Sequence, residues 1–517
     1  MSPDSEQLPG LEAVATAPRP DLPEAAAKPR VKAIDRSQTL FQLIDVEQLI
    51  EPEHPARAIW DLVGRLDLSR FYESIQAVEG GAGREPWDPR LLISLWVYAY
   101  SRGISLAREL SRHCDYEPAF QWLAALGRIN YHTLSDFRSA YDSELPELFT
   151  QVLAVLSSEG LVSLERVMHD GTKIKALAAK STFERQDRLQ EHLRAARQQV
   201  EVLKDWTGDE SARQKAARER AVRERQRRVE QALKELATIE QSSSRRQKQA
   251  AVRVSHTDPQ ARVMKQSDGG YAPSYNVQLS TDAAHKVIVG AGVIQSGNDW
   301  GSLVPAMQLV EDNCGAKPKQ VVVDAGFTTR SNVVELSAQG VEMIGSLRDL
   351  NTGDQLERRG IRPEFYPEAF EYEGQLDIYR CPMGTVLTHI GRKQRRGAVE
   401  HTYRAHRQAC QACPFQRACC GREEGNPRLL LRIEEPRAME DFCQRMQQPE
   451  AKAIYRQRAG VAEFPNAWIK EKLHLRQFRL RGLVKVGLEV LWACLTYNIQ
   501  VWIRVIGQQQ TMKGAVG

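Results

Sequence analysis

The sequence predicts an α/β protein, in which a central mixed sheet with helices follows an all-helical region and is interrupted by two insertions. The main observation is a series of β-rich runs and helical segments between residues 164 and 347, since such alternation is typical of α/β folds. The region 41–161 before it has helical periodicity throughout. Two segments, 182–250 and 350–450, break the strand series and are the predicted insertions.

The strands of the central sheet are predicted from short runs rich in β-branched residues. These runs are VMHDGTKIKALA from 167, YNVQLST at 275–281, KVIVGAGV at 286–293, QVVVDAGF from 320 and VEMIGSL at 341–347. The second and third are spaced like neighbouring antiparallel strands. Helical segments at 300–313 and 329–339 separate the later runs, which gives the strand–helix–strand character of an α/β sheet.

The helical region before the sheet is predicted to be a separate domain, residues 36–160. Its clearest helix spans residues 89–103, where Pro89 begins the apolar pattern and Gly103 ends it. Short helices at 105–112, 117–125 and 133–141 follow. Short helices joined by tight turns are typical of a helix-turn-helix-like DNA-binding module, and they fit a generic helical bundle equally well.

The first insertion, 182–250, is predicted to be a coiled-coil-like helical hairpin. It is almost wholly polar and charged, with a thin apolar seam on each side of the sequence WTGDES. The seam consists of Leu189, Leu193, Ala196, Val200 and Leu203, then Val222, Val229, Leu233 and Leu236. The charge itself is most simply a solvated face.

The composition favours a multidomain globular protein in a reducing compartment. The chain has 517 residues, 42% of them hydrophobic, and its 71 Lys and Arg exceed its 66 Asp and Glu by 5. Arginine is dense in 211–228 and 470–485, as expected of a local surface that faces a polyanion. Nine unevenly spaced cysteines argue against a disulfide framework.

Neither end of the chain has a sequence pattern that predicts export or a membrane span. Residues 1–35 are rich in Pro and Ala and are predicted to be a disordered tail without a secretory signal, and 508–517 form a second tail. The apolar stretch 482–507 contains Lys485, Glu489 and Arg504, which predicts a buried core helix. We therefore expect a cytoplasmic protein with no membrane partner.

Two acidic residues stand at positions suited to metal chemistry. Asp170 and Asp324 each end or follow a β-rich run, and Gly171 and Gly326 beside them permit close approach of substrate. Phosphodiester chemistry with magnesium needs hard oxygen ligands on a rigid scaffold. Two such aspartates do not by themselves indicate a metal site, because an aspartate at a strand end is more often a cap or turn residue.

A third acidic residue lies in a recognisable pattern. The run YRQRAGVAEFPNAWIK contains Tyr455, Arg458, Glu463 and Lys470, and it resembles the Tyr–Arg–Glu–Lys signature of bacterial insertion-sequence DDE transposases. The interval from Glu463 to Lys470 matches that signature, whereas the interval from Arg458 to Glu463 is one residue longer than its commonest form. MHDGTKIKA, VVVDAGF and the N-terminal GREPWDPRLLISLWVYAYSRG also resemble blocks of that family, so the resemblance covers about residues 36–505.

The resemblance implies a function and a set of roles. Residues 161–507 would form an RNase H-like catalytic domain in which Asp170, Asp324 and Glu463 hold two Mg²⁺ or Mn²⁺ ions. Hydrolysis would free a 3′ hydroxyl at the transposon end, and that hydroxyl would attack target DNA. The expected partner is double-stranded DNA, bound by a homodimer or higher oligomer in the bacterial cytoplasm, at the nucleoid. The residues expected to contact DNA are Tyr455, Arg458, Lys470, Lys173 and Lys175.

The second insertion contains a cysteine cluster that predicts a structural zinc site. Cys381 is followed by the pair Cys410 and Cys413 and then by Cys419 and Cys420. Four thiolates at such spacing are typical of tetrahedral Zn²⁺, with Cys419 as the fourth ligand, and soft sulfur ligands select zinc over magnesium. The alternative is a loop of reduced, unliganded cysteines.

Two other functions are compatible with these residues. A metal-dependent nuclease or resolvase on the same scaffold would cut DNA without joining it. A catalytically silent DNA-binding protein would use the helical parts for assembly, although three retained carboxylates argue against it.

Overall fold

A computed structural model describes residues 43–75, 85–204, 211–242, 252–346, 356–395, 398–421 and 426–516. The predicted tail 1–35 lies outside these residues, whereas the prediction of a second tail at 508–517 was wrong, because residues 508–516 continue the last helix. The described part is a mixed α/β structure, as predicted: helices, then a six-stranded sheet interrupted by a helical pair and by a second sheet of five strands.

The N-terminal region is helical, and polar side chains fix where its helices begin. Asp88 accepts a hydrogen bond from the backbone N–H of Arg90 and precedes Pro89, while Asn130 caps another helix through the N–H of His132. The helices are α1 (Pro55–Gly64), α2 (Ser69–Glu73), α3 (Pro89–Ser101), α4 (Ala107–Tyr116), α5 (Pro118–Leu123), α6 (Tyr131–Ala140) and α7 (Glu144–Ser158).

The central sheet combines antiparallel and parallel pairing. Its strands are β1 (Arg166–Lys175), β4 (Arg262–Lys265), β5 (Tyr271–Asp282), β6 (Ile288–Ile294), β7 (Gln320–Val323) and β8 (Glu342–Gly345). The strand β5 pairs antiparallel with β1, β4 and β6, whereas β7 pairs parallel with β1 and β8. Helices α10 (Leu303–Cys314) and α11 (Arg330–Ala338) make the connections that lead into β7 and β8.

The first insertion consists of two long helices on a short strand pair. The strands β2 (Phe183–Glu184) and β3 (Val254–Ser255) pair antiparallel at its base. Helices α8 (Gln186–Lys204) and α9 (Ala212–Ser242) pack together through an apolar cluster that includes Leu189, Ala232 and Leu236. Arg197 contacts Glu230 while Arg225 contacts Gln199, so the two helices run antiparallel.

The second insertion forms an antiparallel sheet with its own small core. Its strands are β9 (Glu371–Glu373), β10 (Ile378–Arg380), β11 (Val386–Arg395), β12 (Ala398–Ala405) and β13 (Leu429–Glu434), in consecutive order. The short helix α12 (Arg407–Gln411) contains Cys410 and α13 (Gln416–Cys420) contains Cys419 and Cys420, whereas Cys413 lies between the two helices.

The chain ends in helices that return to the central sheet. These are α14 (Arg437–Gln447), α15 (Pro449–Arg456), a π-helix (Ala459–Glu463), α16 (Phe464–Glu471) and α17 (Leu483–Val516). Residues 483–507 of α17 are long and apolar enough to span a membrane, but 78% of their most apolar window is buried inside the protein. One hydrophobic cluster joins α17 to the sheet and to the N-terminal helices.

Candidate active site

The register of the central sheet brings Asp170 and Asp324 together. In the parallel pairing of β1 with β7, Met168 lies opposite Val322. Asp170 and Asp324 each follow two residues later, so they stand at the same level on neighbouring strands and on the same face. Because neighbouring strands lie about 5 Å apart, these two carboxyl groups belong to one site.

The C-terminal helices bring Glu463 to the same face of the sheet. Ala462 is buried against Met168, Val322 and Ile344, which occupy β1, β7 and β8. This apolar contact fixes the π-helix over the strands, and Glu463 is the last residue of that π-helix. Its side chain remains 60% exposed. Glu463 therefore stands at the rim of the site.

A single arginine lies between two of the carboxylates. Arg458 Nη1 is 3.8 Å from Asp170 Oδ1, and Arg458 Nη2 is 3.7 Å from Glu463 Oε1. The guanidinium side chain is only 17% exposed. Nη1 is buried and has no hydrogen-bond partner among the described residues, since both contacts are longer than a hydrogen bond. The site thus has unused donor capacity next to its acids.

Burial and neighbouring charges shift the pKa of Asp170. Burial, followed by the nearby charges of Asp324 and Glu463, raises the pKa of Asp170 to about 6, although Arg458 acts in the opposite direction. Asn466 Nδ2 donates to Asp170 Oδ2 at 3.1 Å, and Asn466 Oδ1 is buried without a partner among the described residues. Asn466, on α16, did not stand out in the sequence.

Asp324 is held by the turn that follows β7. Its Oδ1 accepts the backbone N–H groups of Gly326 at 2.7 Å and Phe327 at 3.3 Å. A Cβ at position 326 would lie 2.9 Å from this oxygen, so glycine is needed there for the close approach. The second oxygen of Asp324 takes part in neither of these two bonds.

The residues expected to contact DNA fall into three environments. Lys470 donates to Thr172 Oγ1, on the same face of β1 as Asp170, and burial lowers the pKa of Lys470. Tyr455 packs half-buried in the apolar cluster beneath the π-helix. Strand alternation places Lys173 and Lys175 on the face of β1 opposite Asp170, so the structure does not bring these two lysines to the acidic residues.

A buried polar network underlies the site on that opposite face. The ring of His169 contacts Ser280 Oγ at 2.9 Å and Gln278 Oε1 at 3.0 Å, and Gln278 in turn donates to Asp299 at 3.0 Å. Burial lowers the pKa of His169 to about 4, so the ring is neutral. A Cβ at Gly171 would lie 2.6 Å from Asp299 Oδ1. The network was not predicted, because its members are far apart in sequence.

A basic groove lies beyond the end of β1. Its volume is about 500 Å³, and it is lined by residues of α9 and by residues 479–485. The cations that line it are Arg227, Arg228, Arg479, Arg481 and Lys485, whereas Glu224 is the one acidic residue among its lining residues. Both arginine-rich segments of the sequence therefore meet in one groove.

The cysteines of the second insertion surround one small cavity. Cys381, Cys410, Cys413, Cys419 and Cys420 all line a space of about 20 Å³. The side chain of Cys420 interacts with those of Cys410 and Cys419, and Cys381 Sγ accepts the N–H of Thr385 at 3.2 Å. The structure thus brings together the four predicted zinc ligands, with Cys420 as a fifth sulfur.

Comparison with known protein families relates the chain to transposases. Residues 380–503, which contain Glu463 and Lys470, match the model of a transposase DDE domain. Residues 44–140 match the model of a transposase domain (DUF772). A comparison with curated proteins gives no match. Two transposase domain models match the chain in the order that the sequence predicts, which is consistent with an insertion-sequence DDE transposase.

Proposed function

We propose that this transposase cleaves the ends of its DNA element and joins the freed 3′ hydroxyl to target DNA, with Asp170, Asp324 and Glu463 as its catalytic acids. The observation that carries the proposal is that three carboxylates from separate parts of the chain gather on one face of the sheet, with the cation Arg458 between two of them.

The topology of the sheet supports an RNase H-like catalytic domain. Along the chain the strands run β1, β5, β6, β7 and β8, and in space β6–β5–β1 are antiparallel whereas β1–β7–β8 are parallel. An RNase H-like sheet has this arrangement of three antiparallel strands followed by two parallel ones. It places the acids of β1 and β7 side by side.

The residues present fit divalent metal ions. Carboxylate oxygens are the ligands that Mg²⁺ and Mn²⁺ prefer. Burial, with a smaller contribution from the charges of Asp324 and Glu463, raises the pKa of Asp170, and bound cations would favour its charged form. Asp170, Asp324 and Glu463 would hold the ions, which when bound supply an activated nucleophile and stabilise the charge on the leaving oxygen.

The basic side chains around the acids support binding of DNA phosphates. Lys470 lies on the same face as Asp170 through its bond to Thr172, and Arg458 adds a second cation between two of the acids. The groove between α9 and residues 479–485 offers five cations in a channel of suitable charge. Lys470 and Arg458 thus place positive charge beside the acids, and the groove is a separate basic surface of the protein.

A strand-transfer assay with DNA of the element's own ends tests the proposal. The full chain should release a 3′ hydroxyl and join it to a second duplex in Mg²⁺. Asp170→Asn, Asp324→Asn and Glu463→Gln should each abolish both steps and keep DNA binding, because each removes a charged ligand but keeps its shape. Asp268→Asn, at an exposed loop, is the control.

The outcomes separate the three functions. Cleavage without joining would identify a nuclease or resolvase, and binding without cleavage would identify a silent DNA-binding protein. Full activity in any one of the three variants would remove that residue from the site.

A further inference from the structure

A second group of metal-ligand side chains lies at the base of the helical hairpin. Glu184 is on β2, His192 is in the second turn of α8, and His256 follows β3 directly. Their ligand atoms all lie within 4.8 Å of one another, and all three side chains are half-buried. Among the residues that the structure describes, this is the one set of three His, Cys, Asp or Glu side chains gathered so closely.

The backbone holds two of these side chains in place. Glu184 pairs with Val254, so His256, two residues further along, projects from the same face of the strand pair. The backbone N–H of His256 donates to Thr182 O at 3.1 Å, which extends the ladder by one residue. The ring of His256 stacks on that of His192, with 4.7 Å between centroids. The group is therefore ordered by the fold.

The contacts within the group leave one buried oxygen without a hydrogen bond. His192 Nε2 is 2.7 Å from Glu184 Oε2. This short approach lacks hydrogen-bond geometry, since Glu184 Oε2 is buried without a hydrogen-bond partner among the described residues. A buried carboxylate oxygen without a donor is costly. A cation held jointly by the oxygen and the two imidazoles would satisfy it.

We propose that Glu184, His192 and His256 bind a Zn²⁺ ion that fastens the helical hairpin to the catalytic domain. Two imidazole nitrogens and one carboxylate oxygen form a ligand set that suits zinc, and the fourth tetrahedral position is left for water. This site is separate from the cysteine cavity and from the acidic triad, and it does not depend on the proposed reaction.

The location of the site indicates a structural role for the ion. Glu184 and His256 belong to the strand pair at the root of the hairpin, whereas His192 belongs to α8, which packs along α9. A metal bond from α8 to both strands fixes the angle of the hairpin. Because α9 supplies Arg227 and Arg228 to the basic groove, the ion also fixes one wall of that groove.

Titration of the chelator-treated full chain with Co²⁺ tests the site. Cobalt replaces zinc and gives visible absorption bands, and thiolate ligands add a strong near-ultraviolet band that marks the cysteine cavity. We expect His192→Ala and Glu184→Ala each to lose one bound equivalent and its visible bands, while any thiolate band stays unchanged. His285→Ala, an exposed histidine outside the group, is the matched control and should bind as the parent does.

The result that overturns the proposal is equal cobalt binding in the parent and in both variants. Loss of the thiolate band alone would also overturn it, because the metal would then belong to the cysteines. Thermal unfolding adds a second readout: Zn²⁺ should raise the Tm of the parent more than that of His192→Gln, which keeps a polar side chain of similar size. If Zn²⁺ raises the Tm of the parent and of His192→Gln equally, the hairpin does not hold the ion.

Discussion

At the scale of single residues, the site combines a buried acid with two neighbouring carboxylates and one arginine. Arg458 is placed against Asp170 and Glu463 but too far from either for a hydrogen bond. It offsets the cost of burying Asp170 only in part, since the pKa of Asp170 remains raised to about 6. A site that is electrostatically unfavourable by itself binds cations well, and its function is obtained at the expense of stability.

Asp170→Asn should therefore stabilise the metal-free protein while it abolishes activity. The pKa of Asp170 is about 6 in the fold and 3.8 ordinarily, so its stabilising contribution is full below pH 4 and is lost as the pH rises through 6. At pH 7.5 the variant should gain about 1–3 kcal/mol in free energy of unfolding. The gain should be roughly halved at pH 5. Urea unfolding of both proteins in the presence of chelator, at pH 7.5 and at pH 5, measures this gain. A gain that does not change with pH would show that the raised pKa of Asp170 is not its cause.

At the scale of elements, the π-helix explains the unusual spacing of the signature. The interval from Arg458 to Glu463 is one residue longer than in the commonest form of the signature. A π-turn accommodates one extra residue within a helix, and here it spans Ala459–Glu463. The longer interval therefore still leaves Arg458 Nη2 3.7 Å from Glu463 Oε1.

Deleting Gly460 should convert the π-turn into an α-turn and retain cleavage within about tenfold. Arginine and glutamate would then be four residues apart, which is one turn of an α-helix. Gly460 is suitable because it is exposed and a Cβ there would have no neighbour within 4 Å. Inserting one alanine after Gly460 should instead rotate Glu463 by about 100° relative to Arg458 and abolish cleavage. Equal activity in both variants would show that the spacing is unimportant.

The helices and strands could largely be predicted from the sequence, whereas the contacts between them could not. The run QVVVDAGF predicted a strand because its β-branched residues are contiguous, and β7 lies there. The contact of Asn466 with Asp170 joins residues 296 positions apart and leaves no periodic signal in either segment. Likewise, nothing local indicates that Lys173 faces away from Asp170, since its direction depends on the pairing register.

The cysteine insertion makes a prediction of its own. Purified protein should contain zinc at the cysteine cavity, and Cys410→Ser or Cys413→Ser should each remove that ion, because a structural site needs all its ligands. Elemental analysis of protein prepared without chelator measures the loss. Cys314→Ser, on α10 and outside the cavity, is the control. If the zinc content is unchanged in both cavity variants, the cluster consists of reduced cysteines that bind no metal.

At the scale of the whole molecule, the two ends of the chain are interdependent. The sequence suggested a separate helical domain at 36–160, yet its core is completed by α17 from the C-terminus. Trp492 Nε1 donates to Arg138 O at 3.1 Å, and Trp502 Nε1 donates to Glu159 at 2.6 Å. These contacts couple the N-terminal helices to the same helix that packs against β6 of the central sheet.

Trp492→Ala should consequently destabilise the whole protein rather than one part of it. The indole is 2% exposed and faces Phe137, so its removal leaves a cavity between α17 and α6. We expect a loss of about 3–5 kcal/mol in free energy of unfolding. Val484→Ala on the same helix, 62% exposed, should change it by less than about 0.5 kcal/mol. Denaturant unfolding followed by both circular dichroism and tryptophan fluorescence decides the matter. If the N-terminal helices unfold in a separate transition that Trp492→Ala leaves unchanged, they form an independent domain and the shared core does not couple the two ends.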